Sequence, residues 1–243
     1  NKVIYFGGSD NKLRAVQVID MHEVFSVKLP GETGRGMWTT PAVGTLPPAS
    51  TTDIVYIGSE DGNVYALDVA SCPGTDCIFW QRKVNNAIRG PVCLSGDMQI
   101  LVASTSNTSD TEGELNAFNS VSGAPQWTFK AMSKDGQKWW GLHQVPSIDR
   151  SRGFLIYLAY GDRVVAISAT NGTVIAEAPG DPNDPFASST TLLSDHSALY
   201  VQSVSGTLWK FNIKGGGAAG GILPTITYAW KCGFKQGAVQ CAN

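Results

Sequence analysis

Apolar and polar positions along the chain spell one phrase five times, most clearly as IVYIGSEDGNVYALD from Ile54 to Asp68. Each copy opens with an apolar run: VIYFGG, IVYIGS, ILVAST, FLIYLAY and ALYVQS. It then turns and runs back through an alternating segment: KLRAV, NVYALD, ELNAFN, RVVAIS and TLWKFN. Short apolar runs and period-two alternation bounded by turn residues predict strands. The Gly or Asn at the turn supplies the positive φ of a tight hairpin, and Asp61-Gly62 is the strongest such signal. Each copy is therefore expected to contain an antiparallel hairpin.

A small residue closes the returning segment at Ala15, Ala66, Ala117 and Ala166, with Lys210 in that place in the fifth copy. These anchors are spaced by 51, 51, 49 and 44 residues. A third strand follows with a large apolar residue, Phe25, Trp80, Trp127 or Trp230, and only copy four departs, with Ala176. A short fourth strand comes next as TTPAVG, RGPVCL, QVPSID, SSTTLL and QGAVQC. Pro41, Pro91 and Pro146 sit near its start, where a missing ladder donor costs least. Four strands repeated in this way are the signature of propeller blades, which bury both faces only by stacking on neighbours. The expected fold is an all-β propeller of about five four-stranded antiparallel blades, with residues 1–243 as one domain. The last segment, QGAVQC, reads as the fourth strand of copy five, and a closed ring would place it beside the first copy.

Charged residues make up 16% of the chain and leave a formal net charge of -2, so no basic stripe is available to neutralise phosphates and nucleic-acid partners are not expected. No apolar run is long enough to span a bilayer, and membrane insertion is not expected. The chain opens on Asn1 directly in a strand pattern, as a processed mature protein or a piece of a longer one would.

Cysteine spacing suggests an oxidising location. Cys72 and Cys77 bracket the loop CPGTDC, and Cys232 and Cys241 bracket the last turn and strand, so either pair is a candidate loop disulfide. Cys93 is left as a small apolar residue. Reduced cysteines in a cytosolic protein are the other reading, and neither spacing suits zinc. Two sequons, Asn107-Thr108-Ser109 and Asn171-Gly172-Thr173, make Asn107 and Asn171 candidate glycan carriers if the protein is secreted by a eukaryotic cell.

Candidate chemistry is sparse. His22, His143 and His196 fall in different copies. No nucleophile elbow, phosphate loop or zinc-helix motif is present. The oxygen-rich loop GDPNDP, with Asp181, Asn183 and Asp184, lacks the Gly and bidentate Glu of a calcium loop and reads as an ordinary turn. Gly215-Gly216-Gly217 reads as a surface insertion. Trp139-Trp140 is the pair best suited to stacking on a sugar or a planar ligand, because adjacent strand residues point to opposite faces.

The phrase of apolar strand, Gly-Ser, Asp-Gly, strand ending Ala-Leu-Asp and then Trp resembles the repeat of quinoprotein-like propellers, the fold of pyrroloquinoline quinone (PQQ) dependent alcohol dehydrogenases. The likeness covers the whole chain. The stretch from Trp139 to Asp162 resembles the polyvinyl-alcohol-dehydrogenase-like branch. An enzyme of this family would use PQQ and calcium, and members that do this chemistry carry more blades and usually an adjacent Cys-Cys pair. This chain has five copies, no Cys-Cys and no haem-attachment motif.

The resulting expectation is a non-catalytic, secreted, cell-surface or periplasmic propeller. It would bind or assemble with other protein chains or glycans, with sheet edges open to self-assembly and no cofactor. A PQQ-dependent alcohol dehydrogenase, whole or partial, is the alternative, and a carbohydrate-binding propeller is the second.

Overall fold

A computed structural model describes residues 2–31, 35–45, 52–95, 100–106, 112–132, 142, 144–215, 225–235 and 238–242. Its strands form five antiparallel sheets. The first holds β1 (Val3–Gly7), β2 (Lys12–Gln17) and β3 (Glu23–Lys28), and the second holds β4 (Ala42–Thr45), β5 (Asp53–Gly58), β6 (Asn63–Asp68) and β7 (Ile78–Lys83). The third contains β8 (Val92–Leu94), β9 (Ile100–Ser106), β10 (Glu112–Asn119) and β11 (Pro125–Met132). The fourth is β12 (Ser147–Asp149), β13 (Leu155–Tyr160), β14 (Arg163–Ser168) and β15 (Val174–Pro179). The fifth is β16 (Thr191–Leu192), β17 (Ala198–Gln202), β18 (Leu208–Lys214), β19 (Thr225–Lys235) and β20 (Ala238–Ala242).

The expected hairpins all form, but the short strand belongs to a different sheet from the one its place in the repeat suggests. β4, β8, β12 and β16 each pair with the opening strand of the next copy: Ala42 faces Tyr56, Cys93 faces Val102, Ser147 faces Tyr157 and Thr191 faces Tyr200. Connection length explains the choice. Only 7, 5, 5 and 5 residues follow the short strand before the next one, against 13, 8, 14 and 11 before it. The shorter loop closes at lower entropic cost, and consecutive strands usually neighbour each other.

The last strand joins the sheet of its own copy. β20 folds back on β19, with Cys232 opposite Cys241, because only two residues separate the two strands and a two-residue link makes a hairpin.

The chain groups into two compact units, residues 1–130 with 141–143 and residues 131–140 with 144–243. In the first unit, Leu13, Ala15, Phe25 and Val27 of the first sheet pack against Val55, Ile57, Tyr65 and Leu67 of the second. The opposite face of the second sheet, through Ile54, Tyr56, Val64, Ala66 and Trp80, packs on Val92 and Phe118 of the third. Burial on both faces is why β5 reads as a continuous apolar run rather than an alternation. In the second unit Tyr157, Val164 and Ala166 meet Leu199, Trp209 and Phe211, with Phe186 edge-on to both aromatic rings.

Candidate functional site

One cross-strand triad is repeated in four of the sheets. Tyr5, Ala15 and Phe25 stand opposite one another across β1, β2 and β3. Tyr56, Ala66 and Trp80 do so across β5, β6 and β7; Tyr157, Ala166 and Ala176 across β13, β14 and β15; Tyr200, Lys210 and Trp230 across β17, β18 and β19. In each case the ladder to the third strand shifts register immediately after the anchor, at Ala15/Val16, Ala66/Leu67, Ala166/Ile167 and Lys210/Phe211. A bulge at a fixed place bends the strand and re-aims the side chains beside it.

The second sheet shows what this arrangement can hold. Tyr56 Oη and Trp80 Nε1 both donate to the Ser120 carbonyl, at 3.1 and 3.0 Å. Arg82 Nε donates to the Gly123 carbonyl at 2.8 Å and Nη2 to the Ser122 carbonyl at 2.9 Å. A backbone turn, 119–124, is thus gripped by one phenol, one indole and one guanidinium. Burial pushes the Tyr56 phenol up, partly offset by its bond to Ser120, so it stays a neutral donor. Gly123 is required there: its φ is +67°, and a Cβ would come within 2.7 Å of the Trp80 ring. In the fifth sheet the same positions carry Tyr200, Lys210 and Trp230, all half-buried, with the Lys210 ammonium 5.9 Å from the centre of the Tyr200 ring and Trp230 edge-on to it.

The second unit also contains a polar cluster around Asp149, which is fully buried. Its carboxylate accepts from Ser151 Oγ at 2.7 Å, Ser151 N at 3.0 Å and Arg152 Nη1 at 2.7 Å, with Tyr157 Oη at 3.5 Å. His196 Nδ1 approaches it to 2.8 Å without hydrogen-bond alignment. Arg152 also donates to the carbonyls of His196 and Gly215, both at 2.8 Å. Burial raises the Asp149 pKa, but the Ser151 and Arg152 bonds and the charges of His196 and Arg152 together outweigh it and hold the carboxyl below its ordinary range. With its oxygens occupied by internal partners, the group clamps loops rather than offering a free base.

Cys72 and Cys77 lie on the two 3-10 turns, Val69–Ser71 with its cap and Thr75–Cys77, that join β6 to β7. Both are free thiols, and they lie close enough to influence each other electrostatically. Cys93 is a third free thiol, half-buried, which burial pushes up to about 11. Cys232 is disulfide-bonded. Asn171 is exposed at the tip of the β14–β15 hairpin, where its Oδ1 accepts from Thr173 Oγ1 at 2.8 Å and Thr173 N at 3.2 Å. Asn107, Trp139, Trp140 and His143 lie outside the described residues.

His22 pairs with Asp20 at 2.8 Å in the first unit and His196 with Asp149 in the second. Among the described residues no cluster of three or more His, Cys, Asp or Glu is poised to hold a metal. In GDPNDP, Asp181 accepts from Asn183 N, and Asp184 accepts from Ser203 Oγ and Ser205 Oγ at 2.6 Å each, which makes the loop a hydrogen-bonded turn. No helix among the described residues is long and apolar enough to cross a membrane.

The sequence reading missed the tyrosine column and the Asp149 clamp. The tyrosines were detectable, since Tyr5, Tyr56 and Tyr200 each precede their anchor by ten residues and Tyr157 by nine. The clamp was not, because its members come from separate loops.

Antiparallel sheets of this strand order, stacked face to face within each unit and keyed by a repeated aromatic position, are those of a β-propeller. Residues 24–219 match the family described as outer membrane protein assembly factor BamB, and the chain belongs to that family of PQQ-like repeats. No curated protein matches the chain. Among solved structures, BamB from Moraxella catarrhalis superposes with a TM-score of 0.60 at 17% identity, covering 87% of this chain and 58% of that one. A chain of the mitotic checkpoint complex gives a TM-score of 0.63 at 9% identity, covering 94% and 62%. A europium-containing methanol dehydrogenase gives 0.60 at 13% identity, covering 87% and 47%. The chain therefore spans less than two thirds of the length of each of these neighbours.

Proposed function

We propose that this protein is a non-catalytic binding and assembly scaffold for other protein chains, working outside the cytoplasm at the cell surface, in the periplasm or as a secreted protein. Family membership supports the assembly role, since the matching family carries that description. The observation that carries the reading is the triad of Tyr200, Lys210 and Trp230. Two of the corresponding positions in the second sheet, Tyr56 and Trp80, grip a glycine-bearing backbone turn, and in the fifth sheet the phenol, indole and an added cation are only half-buried. This face suits a turn or loop of a partner protein, held through its carbonyls, with Lys210 favouring a neighbouring carboxylate.

Cross-linking in intact cells tests the proposal. Lys210 should cross-link to residues of a second polypeptide, and Trp230→Ala should abolish those links while Trp230→Phe keeps part of them. A protein recovered only as an uncross-linked monomer from every extract would contradict it.

The PQQ-like repeat, a fold shared with a europium-containing methanol dehydrogenase, motivates a second reading as a PQQ-dependent enzyme, for which PQQ and calcium are the expected cofactors. Incubation with PQQ and calcium, followed by methanol-dependent dye reduction, separates the two. Turnover would displace the scaffold reading, and its absence is the expected result.

A further inference from the structure

We propose that Cys72 and Cys77 close the β6–β7 connection as a disulfide, so that this loop is an oxidation-dependent clasp on the second sheet. The local backbone already holds the two thiols together. Asp68 Oδ1 accepts from Ala70 N at 3.0 Å and its Oδ2 from Ser71 Oγ at 3.2 Å, which fixes the first turn. Cys72 N then donates to Val69 O, Gly74 N to Ser71 O and Cys77 N to Gly74 O, at 3.3, 3.2 and 3.3 Å. These bonds fold the second turn back on the first. They bring Cys72 and Cys77 to the same core cluster between the first two sheets, with Cys77 fully buried in it and Cys72 packed against it.

The chemistry balances with a disulfide oxidant such as glutathione disulfide. One cysteine thiolate attacks a glutathione sulfur and releases one glutathione thiolate; the second cysteine thiolate attacks the mixed disulfide and releases the other. The two thiol protons end on the two released glutathiones. Burial, the Cys77 thiol and the Asp68 carboxylate all disfavour the Cys72 thiolate, so the folded pair exchanges slowly. The bond is accordingly made as the chain folds and then persists as a structural clasp. Cys93, a free thiol on β8, serves as an internal reference.

The test uses the full chain refolded with reduced and oxidised glutathione, blocked with iodoacetamide and digested with trypsin. Cleavage after Arg35 and Arg82 leaves both cysteines in one peptide, 36–82. The expected peptide is unlabelled, lighter by two hydrogens than its reduced form, and takes two labels after reduction, while the Cys93 peptide is labelled from the start. Thermal melts give a second readout. Reductant should lower the melting temperature by roughly 4–8 °C more in the wild type than in Cys72→Ser, which keeps any contribution from Cys232. Two labels on peptide 36–82 in the oxidised protein, or a link from either residue to Cys93 or to another chain, would overturn the proposal.

Discussion

Ala66 stands opposite Trp80 across the β6–β7 ladder, and the ladder slips register at the very next residue. The small side chain leaves room for the indole to lean over the sheet, where it is buried, lies 5.9 Å from the Tyr56 ring centre and 6.4 Å from that of Phe118, and reaches the Ser120 carbonyl. Two requirements meet at this pair: a cavity of the right size and a hydrogen-bond acceptor in the right place.

Trp80→Ala should therefore destabilise the protein by about 3–5 kcal/mol, through lost burial and the carbonyl left without its indole donor. Trp80→Phe should cost less, since it keeps most of the packing. Ala66→Leu should cost about 1–3 kcal/mol by overpacking the same space. Urea denaturation of the three variants orders these losses, and a Trp80→Ala variant as stable as the wild type would refute this account of the seat.

Gly123→Ala should cost about 2–4 kcal/mol, because it combines a positive φ with a methyl group driven into the indole. The two sites are in contact, so their effects should not add. In a double-mutant cycle the Gly123→Ala penalty should shrink in the Trp80→Ala background to the backbone contribution alone. Full additivity would show that ring and glycine do not interact.

Acid stability should depend on Asp149. Its folded pKa lies below the unfolded value of about 3.9, so it contributes stability at pH values above that figure and loses it as the pH falls through the folded pKa. Asp149→Asn should lower stability at neutral pH by about 3–5 kcal/mol, since it strands the Arg152 guanidinium. The variant should also show a flatter stability profile below about pH 4. Parallel melts across that range check both parts.

If the protein passes through a eukaryotic secretory route, Asn171 should carry a glycan. Its Oδ1 is taken up by Thr173, and the residue is exposed at a hairpin tip. The intact mass should then exceed 25.8 kDa by sugar-sized steps that an N-glycosidase removes and that Asn171→Gln eliminates or reduces. An unmodified mass from such a host would argue against modification at this position.

The hairpins were legible because strand alternation and Asp-Gly turns are local signals. Asp61-Gly62 turns as expected, with Gly62 at φ +84°. The Ala, Ala, Ala and Lys anchors also marked real positions, since each sits at a register shift. Lys210 replaces alanine at an anchor that is only half-buried, where a charged head can remain in water. The Asp149 clamp was invisible because Arg152 and His196 are 44 residues apart in sequence, and no periodicity links the loops that carry them. Trp139 and Trp140, the pair singled out for ligand stacking, lie outside the described residues.

By itself the sequence determined the repeat, its strands, its turns and the family to which the chain belongs, because these follow from side-chain period and backbone propensity within a few residues. Only the tertiary structure decided which sheet each short strand joins and that β20 turns back on β19. Hydrogen bonds along a strand edge can be satisfied by either neighbour, and loop length and packing choose between them. The same holds for the Tyr56–Trp80 grip on Ser120: three residues with no local relation act together because two sheets stack face to face.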